Sequence, residues 1–153
     1  MSTTTYNKRD VMRILKNNGY NCYLGGNIGI PLFTKLNEMK PEDIIVLELS
    51  SFQLMDMDIS PDIAAITNIT PNHLDMHKDY QEYIDAKKNI MLYQGSDSKL
   101  IVNKSNIVTE SIGKEAKGKL VRFSSKENAD IMLQDNYITV NGQKYDSSNP
   151  YNG

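Results

Sequence analysis

Residues 43–49 read DIIVLEL, and the reading of that run decides the fold. It is continuously apolar between Asp43 and Glu48, with a β-branched bias. Such a run marks a strand buried on both faces of a parallel sheet, whereas a half-solvated strand alternates. The same texture recurs downstream in PDIAAITNI (61–69) and SKLIVN (98–103). Between those two lies DYQEYIDAKKNI (79–90), where Asp79 and Glu82 have the spacing that caps a helix start. Its apolar stripe continues through Tyr80, Tyr83, Ile84, Ile90 and Met91 in steps of three and four. Lys87 falls inside that stripe, and Lys88 faces away as a surface residue.

Upstream, residues 3–18 carry Val11, Ile14 and Leu15 at helical spacing and end at Gly19, a C′ residue. YNCYLGG (20–26) is a short strand running into glycines. Residues 28–39 predict a helix with Pro31 in its first turn and Leu32, Leu36 and Met39 on one face. Strands alternating with helices at this spacing predict an α/β fold, a three-layer, mostly parallel sheet flanked by helices with right-handed crossovers. After about residue 118 the segments become short and alternating, and Asp135-Asn136 and Asn141-Gly142 are turn formers. The expected organisation is therefore a core over 2–118, a small antiparallel β appendage over 119–146 and a loose tail over 147–153.

The 153 residues suffice for one domain with its own core. Seventeen basic and nineteen acidic residues leave a net charge of −2, with no basic block to attract nucleic acid. No run approaches the ~20 apolar residues of a membrane span, and the expectation is no membrane association. Cys22 is the single cysteine, so no disulfide forms within the chain and a reducing, cytoplasmic compartment is the default.

Ligands of parallel α/β sheets collect at the carboxyl ends of strands. The first such end delivers Gly25, Gly26, Asn27 and Gly29, which form either a plain turn or a loop that lets backbone approach an anion. The second delivers Glu48, Ser50, Ser51 and Gln53. A carboxylate inside an apolar run requires a partner; Glu48 pairs with a structural lysine, emerges past the sheet, or meets a cation. The third gives TNITPNHLDMH (67–77), in a strand expected beside that of Glu48. Glu48 and His73 on one edge could bind a divalent cation, magnesium or manganese, while His77 is expected to be solvated. Lys87 has a bland reading too, its stem along the core and its head in water.

GGNIGIPL (25–32), VLELSSFQL (46–54) and TNITPNHLDMHKDYQEYIDAKKNI (67–90), in that order and spacing, resemble the central, P-loop-type domain of the Mur ligases, most closely the branch that adds D-glutamate. The resemblance covers residues 2 to about 145, weakly after 104. It implies an ATP-dependent, amide-forming ligase of peptidoglycan precursor synthesis. ATP would phosphorylate the carboxylate of UDP-MurNAc-L-alanine, and the amine of D-glutamate would attack the acyl phosphate. It implies Mg2+ as cofactor, with Glu48, His73, Lys87 and Ser2 at the metal and Lys87, His73 and Glu48 as catalytic residues. Asn27, Ser50 and Gln53 fall where the family contacts or organises the UDP-substrate, and Lys87 matches a lysine carried as a carbamate. A desolvated amine is readily neutral, which suits uptake of CO2; for this chain an unmodified Lys87 is expected.

Ser2 and Thr3 match the Ser/Thr-Thr pair closing the family's phosphate loop, which leaves Met1 at the place of the loop lysine. Asn72 stands where an aspartate is common. The expectation is a truncated central domain, inactive alone and able to dimerise through a sheet edge laid bare. The competing readings are another Mur-type ligase, such as a folylpolyglutamate synthase, and a non-catalytic α/β binding module.

Overall fold

The structure, a computed structural model, describes residues 8–27, 31–71, 77–134 and 137–146. They divide into two compact units, one running to Ser50 and one starting at Ser51.

The first unit opens with helix α1 (Lys8–Asn17). Its end is closed as the glycine predicts: Gly19 has φ +85°, its N–H donates to Lys16 O at 3.0 Å, and Tyr20 N–H donates to Leu15 O at 3.1 Å. That is the paired hydrogen-bond pattern of a Schellman cap. Strand β1 (Cys22–Gly26) then pairs in parallel with β2 (Ile44–Glu48), in register from Cys22 opposite Ile44 to Gly26 opposite Glu48. Helix α1 packs on both strands.

Two expectations fail in this unit. The segment after Pro31 is a 3-10 helix, Leu32–Glu38, and not an α-helix with Leu32, Leu36 and Met39 on one face. Three residues per turn place Leu32 and Leu36 about 120° apart, so the apolar face predicted from α-helical spacing does not form. Leu36 is accordingly exposed. In β2, Ile45 and Leu47 are 48 % and 46 % exposed, so the run is not covered on both faces. Its neighbour in this unit is β1. An apolar run identifies a strand, but it contains no information about which strand lies beside it.

The second unit is a six-stranded mixed sheet, in the order β3 (Ile63–Ile66), β4 (Lys99–Asn103), β5 (Lys119–Ser124), β6 (Ile131–Gln134), β7 (Tyr137–Val140), β8 (Gln143–Asp146). The first four run parallel and the last three form an antiparallel meander. Residues 119–124, expected among the antiparallel strands, instead extend the parallel set. Short alternating strands read alike in either direction; only the connection separates them, and helix α4 (Ile107–Gly113) supplies the crossover from β4. The turn between β7 and β8 is as predicted, with Asn141 at φ 50° and Gly142 at φ 82°, the two positive values of a type I′ hairpin. Residues 135–136 lie outside the described residues.

The core of this unit is Ala64, Ile66, Ile69, Tyr83, Met91, Leu100, Val102 and Ile112. Leu100 and Val102 are fully buried on β4, each contributing about 1.5–3 kcal/mol. Helix α3 (Tyr80–Leu92) presents Tyr83 and Met91 to this core, with Tyr80, Ile84 and Ile90 packed against it, as its stripe predicts. Asp79 caps it by accepting from Glu82 N–H at 2.8 Å, and the Glu82 carboxylate reaches back to Lys78 N–H at 2.7 Å. Buried Gln94 stitches the start of the sheet, its Nε2 donating to Pro61 O at 2.8 Å and to Lys99 O at 3.1 Å. Short helix α2 (Ser51–Met55) docks on α3 through Asn89, whose Nδ2 donates to Leu54 O at 2.8 Å and Met55 O at 3.0 Å.

Candidate functional site

In the first unit the glycine motif and Glu48 meet at adjacent strand ends. Gly26 lies opposite Glu48, and Asn27 N–H donates to Glu48 O at 2.7 Å. Gly26 is required there. Its φ is +104°, and a Cβ would lie 2.7 Å from Glu48 N and closer still to Glu48 O. The close approach of the two backbones is what aligns Asn27 with the carboxylate-bearing residue. The Glu48 side chain is half exposed, and its Oε2 lies 3.3 Å from Lys8 Nζ, whose own side chain is 9 % exposed. Glu48 therefore both emerges at the end of its strand and has a lysine partner, so the strand holds no buried lone charge. Asn27 is exposed, and Ser50 is half-buried in the turn after β2.

In the second unit, Lys87 is half-buried on α3 with Nζ 5.8 Å from the centroid of the Tyr83 ring, within the range of a cation–π contact. Gln53 sits on α2 and is exposed. Lys88 differs from its expected role as a plain surface residue. Its ammonium donates to both carboxylate oxygens of Glu115 at 2.8 Å, tying α3 to the segment after α4. Ser2, Thr3 and His73 lie outside the described residues, as does Asn72.

His77 corrects the sequence reading most clearly. Expected in solvent, it is buried at 5 % exposure. Its Nε2 is 2.9 Å from Ser51 Oγ, and its ring stacks on Phe52, with centroids 5.0 Å apart. Tyr83 meets it edge-on at 5.3 Å. Nδ1 lies 3.5 Å from Glu82 Oε2, within reach of an ion pair, yet it makes no hydrogen bond among the described residues. Ser51, His77 and Glu82 thus have the order of a nucleophile, base and orienting acid. Ser51 is itself buried at 5 % exposure, so this order of groups is closed off from solvent. His77 stands two residues ahead of the Asp79 cap, and its contact with Tyr83 follows no local capping pattern.

Asn106 is a second residue that sequence reasoning missed. Its Oδ1 caps α4 by accepting from Thr109 N–H at 3.0 Å, and its Nδ2 donates to Asn68 Oδ1 at 2.6 Å and Ile69 O at 3.0 Å. One side chain therefore caps a helix and clamps the segment leaving β3. Among titratable groups in this unit, burial pushes the Tyr83 phenol up from its ordinary range, with Tyr80 adding to the effect. Among the described residues no cluster of three or more His, Cys, Asp or Glu side chains could hold a metal ion.

The family model described as Mur ligase middle domain matches residues 3–152. The chain belongs to the Mur ligase family. This Mur ligase chain is 55 % identical over 136 residues to a UDP-N-acetylmuramoylalanine--D-glutamate ligase of Clostridium perfringens, covering 88 % of the chain and 30 % of that relative. It is 60 % identical over 116 residues to the protein of the same name in Clostridium botulinum, covering 76 % of the chain and 25 % of the relative. The chain thus spans less than a third of these relatives' length. Its fold is similar to that of a MurF ligase from Thermotoga maritima solved in complex with ADP, with a TM-score of 0.67 and 19 % identity over 90 % of this chain and 36 % of that one. MurF from Acinetobacter baumannii gives 0.64 at 19 % identity, over 90 % of this chain and 33 % of that one. Both likenesses show a Mur ligase fold, an α/β arrangement with a mostly parallel sheet.

Proposed function

We propose that this chain supplies the middle-domain part of an ATP-dependent ligase that joins D-glutamate to UDP-MurNAc-L-alanine, acting in the cytoplasm. The observation that carries the reading is the junction of Asn27 with Glu48 at neighbouring strand ends, held by the 2.7 Å backbone bond. It brings two segments of the ligase resemblance to one sheet edge, the place where parallel α/β sheets bind ligands.

In this reading Asn27, Ser50 and Gln53 contact or orient the UDP-substrate, and Ser2 and Thr3 contact nucleotide. Glu48, His73, Lys87 and Ser2 would hold magnesium, and Glu48, His73 and Lys87 act in catalysis. The donor chemistry at Glu48 fits such an ion. A hard carboxylate at a strand end already accommodates positive charge, since the Lys8 ammonium sits 3.3 Å away. When bound, magnesium supplies charge screening between the triphosphate and the substrate carboxylate. The chain's own contribution is placement. The Gly26–Asn27 turn sets the backbone against Glu48, and α3 carries Lys87 on the face of Tyr83.

The test is phosphate release from ATP by the open reading frame that contains this chain. Turnover is expected only when UDP-MurNAc-L-alanine and D-glutamate are both present, and Lys87→Ala and Glu48→Ala are expected to abolish it. Equal turnover with L-glutamate, or with a folate acceptor in place of the UDP-substrate, would overturn the assignment.

A further inference from the structure

The rings around His77 form a connected path that ends at Lys87. Phe52 stacks on His77 with an interplanar angle of 17°. The edge of His77 meets Tyr83 at 67°, and the face of Tyr83 carries the Lys87 ammonium 5.8 Å from its centroid. Tyr83 is buried, so its ring angle is set by what packs against it: Tyr80 stacks on it at 6.2 Å from its own helix, and His77 meets it edge-on from the side of α2. The anchor of His77 is the 2.9 Å hydrogen bond to Ser51, the first residue of α2. The imidazole is nearly inaccessible, so it contacts no substrate. What it controls is a neighbouring ring.

We infer that His77 is a positioning residue for Lys87: its ring, held by Ser51 and Phe52, fixes Tyr83 and thereby the place of the Lys87 amino group. Ser51, Phe52 and the lysine helix then behave as one unit, and a shift of α2 is passed to the amine through two rings. The catalytic importance of this placement rests on the proposed role of Lys87; the placement itself does not.

The experiment is trace acetylation of the chain with acetic anhydride, read by peptide mass spectrometry as the ratio of Lys87 to Lys88 labelling. A displaced Tyr83 ring weakens its contact with the ammonium, so His77→Ala is expected to raise the ratio by about two- to five-fold, the range of a cation–π contact that is not fully desolvated. His77→Phe keeps a ring between Phe52 and Tyr83 and is expected to restore the ratio. Asn89→Ala removes the two side-chain hydrogen bonds that Asn89 donates to α2 while leaving the rings in place. It is expected to lower stability without moving the ratio.

An unchanged ratio in His77→Ala, no restoration by His77→Phe, or an equal rise in Asn89→Ala would each overturn the inference, the last because general loosening would then explain the effect. Ligase turnover retained by Lys87→Ala would instead sink the proposed role of the lysine, with the labelling ratios unaffected.

Discussion

Gly26→Ala is expected to open the end of the β1–β2 pair. The methyl group would stand 2.7 Å from Glu48 N and 2.8 Å from Glu48 C, against backbone that has no rotamer by which to yield. Relief requires moving Gly26 away from Glu48, which breaks the 2.7 Å bond from Asn27 N–H to Glu48 O. An alanine held near φ +104° costs about 1–3 kcal/mol, and the lost hydrogen bond about 0.5–1.5 kcal/mol more. The sum, about 1.5–4.5 kcal/mol, corresponds to a roughly 12- to 1,600-fold rise in local opening. Gly19→Ala provides the matched control. Its φ is +85° with nothing within 4 Å of the added carbon, so it isolates backbone strain from collision. Strain alone is worth about 1–2 kcal/mol and acts at the end of α1.

The assay is amide hydrogen exchange, followed at residues 22–27 and 44–48. In Gly26→Ala the Asn27 amide is expected to lose protection by the factor above, and in Gly19→Ala it is expected to keep it. Asn27 exchange within threefold of the unaltered chain in Gly26→Ala would refute the collision argument. Equal loss in both variants would refute its localisation to the strand ends.

Asn106→Ala removes the α4 cap together with the clamp on Asn68 and Ile69, and should cost about 1–3 kcal/mol in urea unfolding, more than the ~1 kcal/mol typical of a cap alone. A loss no larger than that of a simple cap would show the clamp to be inert. The raised Tyr83 phenol predicts an alkaline limit. Above about pH 10 the unfolded tyrosine is ionised while the folded one is still protonated. The unfolded state then binds fewer protons, and stability falls as pH rises. Tyr83→Phe should remove part of that fall, seen by comparing urea midpoints at about pH 9 and about pH 11; an identical fall in both chains would exclude the cause. Lys88→Ala breaks a pair with 24 % and 51 % side-chain exposure. It should cost less than about 1 kcal/mol, shrinking further at high salt; a salt-independent loss in thermal unfolding would show that the contact acts by packing.

What was legible in the sequence was mostly local. The Asp79 cap, the Gly19 stop and the Asn141-Gly142 hairpin each follow from a few adjacent residues, and each forms. The alternation of strands and helices yielded the α/β class for the same reason. What failed depended on partners far along the chain. DIIVLEL does not say that β1 is its neighbour, and KLVRFSS does not say that it runs parallel to β4. His77 was misread because its burial comes from Phe52 and Ser51, some 26 residues earlier. Glu48 was correctly suspected of needing a partner, but the identity of Lys8 came only from the packing of α1. The asparagines at 89 and 106 carried no motif at all. An amide becomes a clamp only when carbonyls from another element arrive beside it.

The stitch made by Gln94 divides the second unit's sheet into ends of unlike character. At the amino ends of β3 and β4 the register is pinned by that buried amide, joined by the bonds from Lys99 N–H to Asp62 O at 2.8 Å and from Lys119 N–H to Ser98 O at 2.9 Å. A slip of one residue would break all of these at once and turn Leu100 and Val102 outward. The alignment of the strands is therefore set at the end remote from their carboxyl-terminal loops. A substitution in those loops therefore leaves the sheet beneath them aligned.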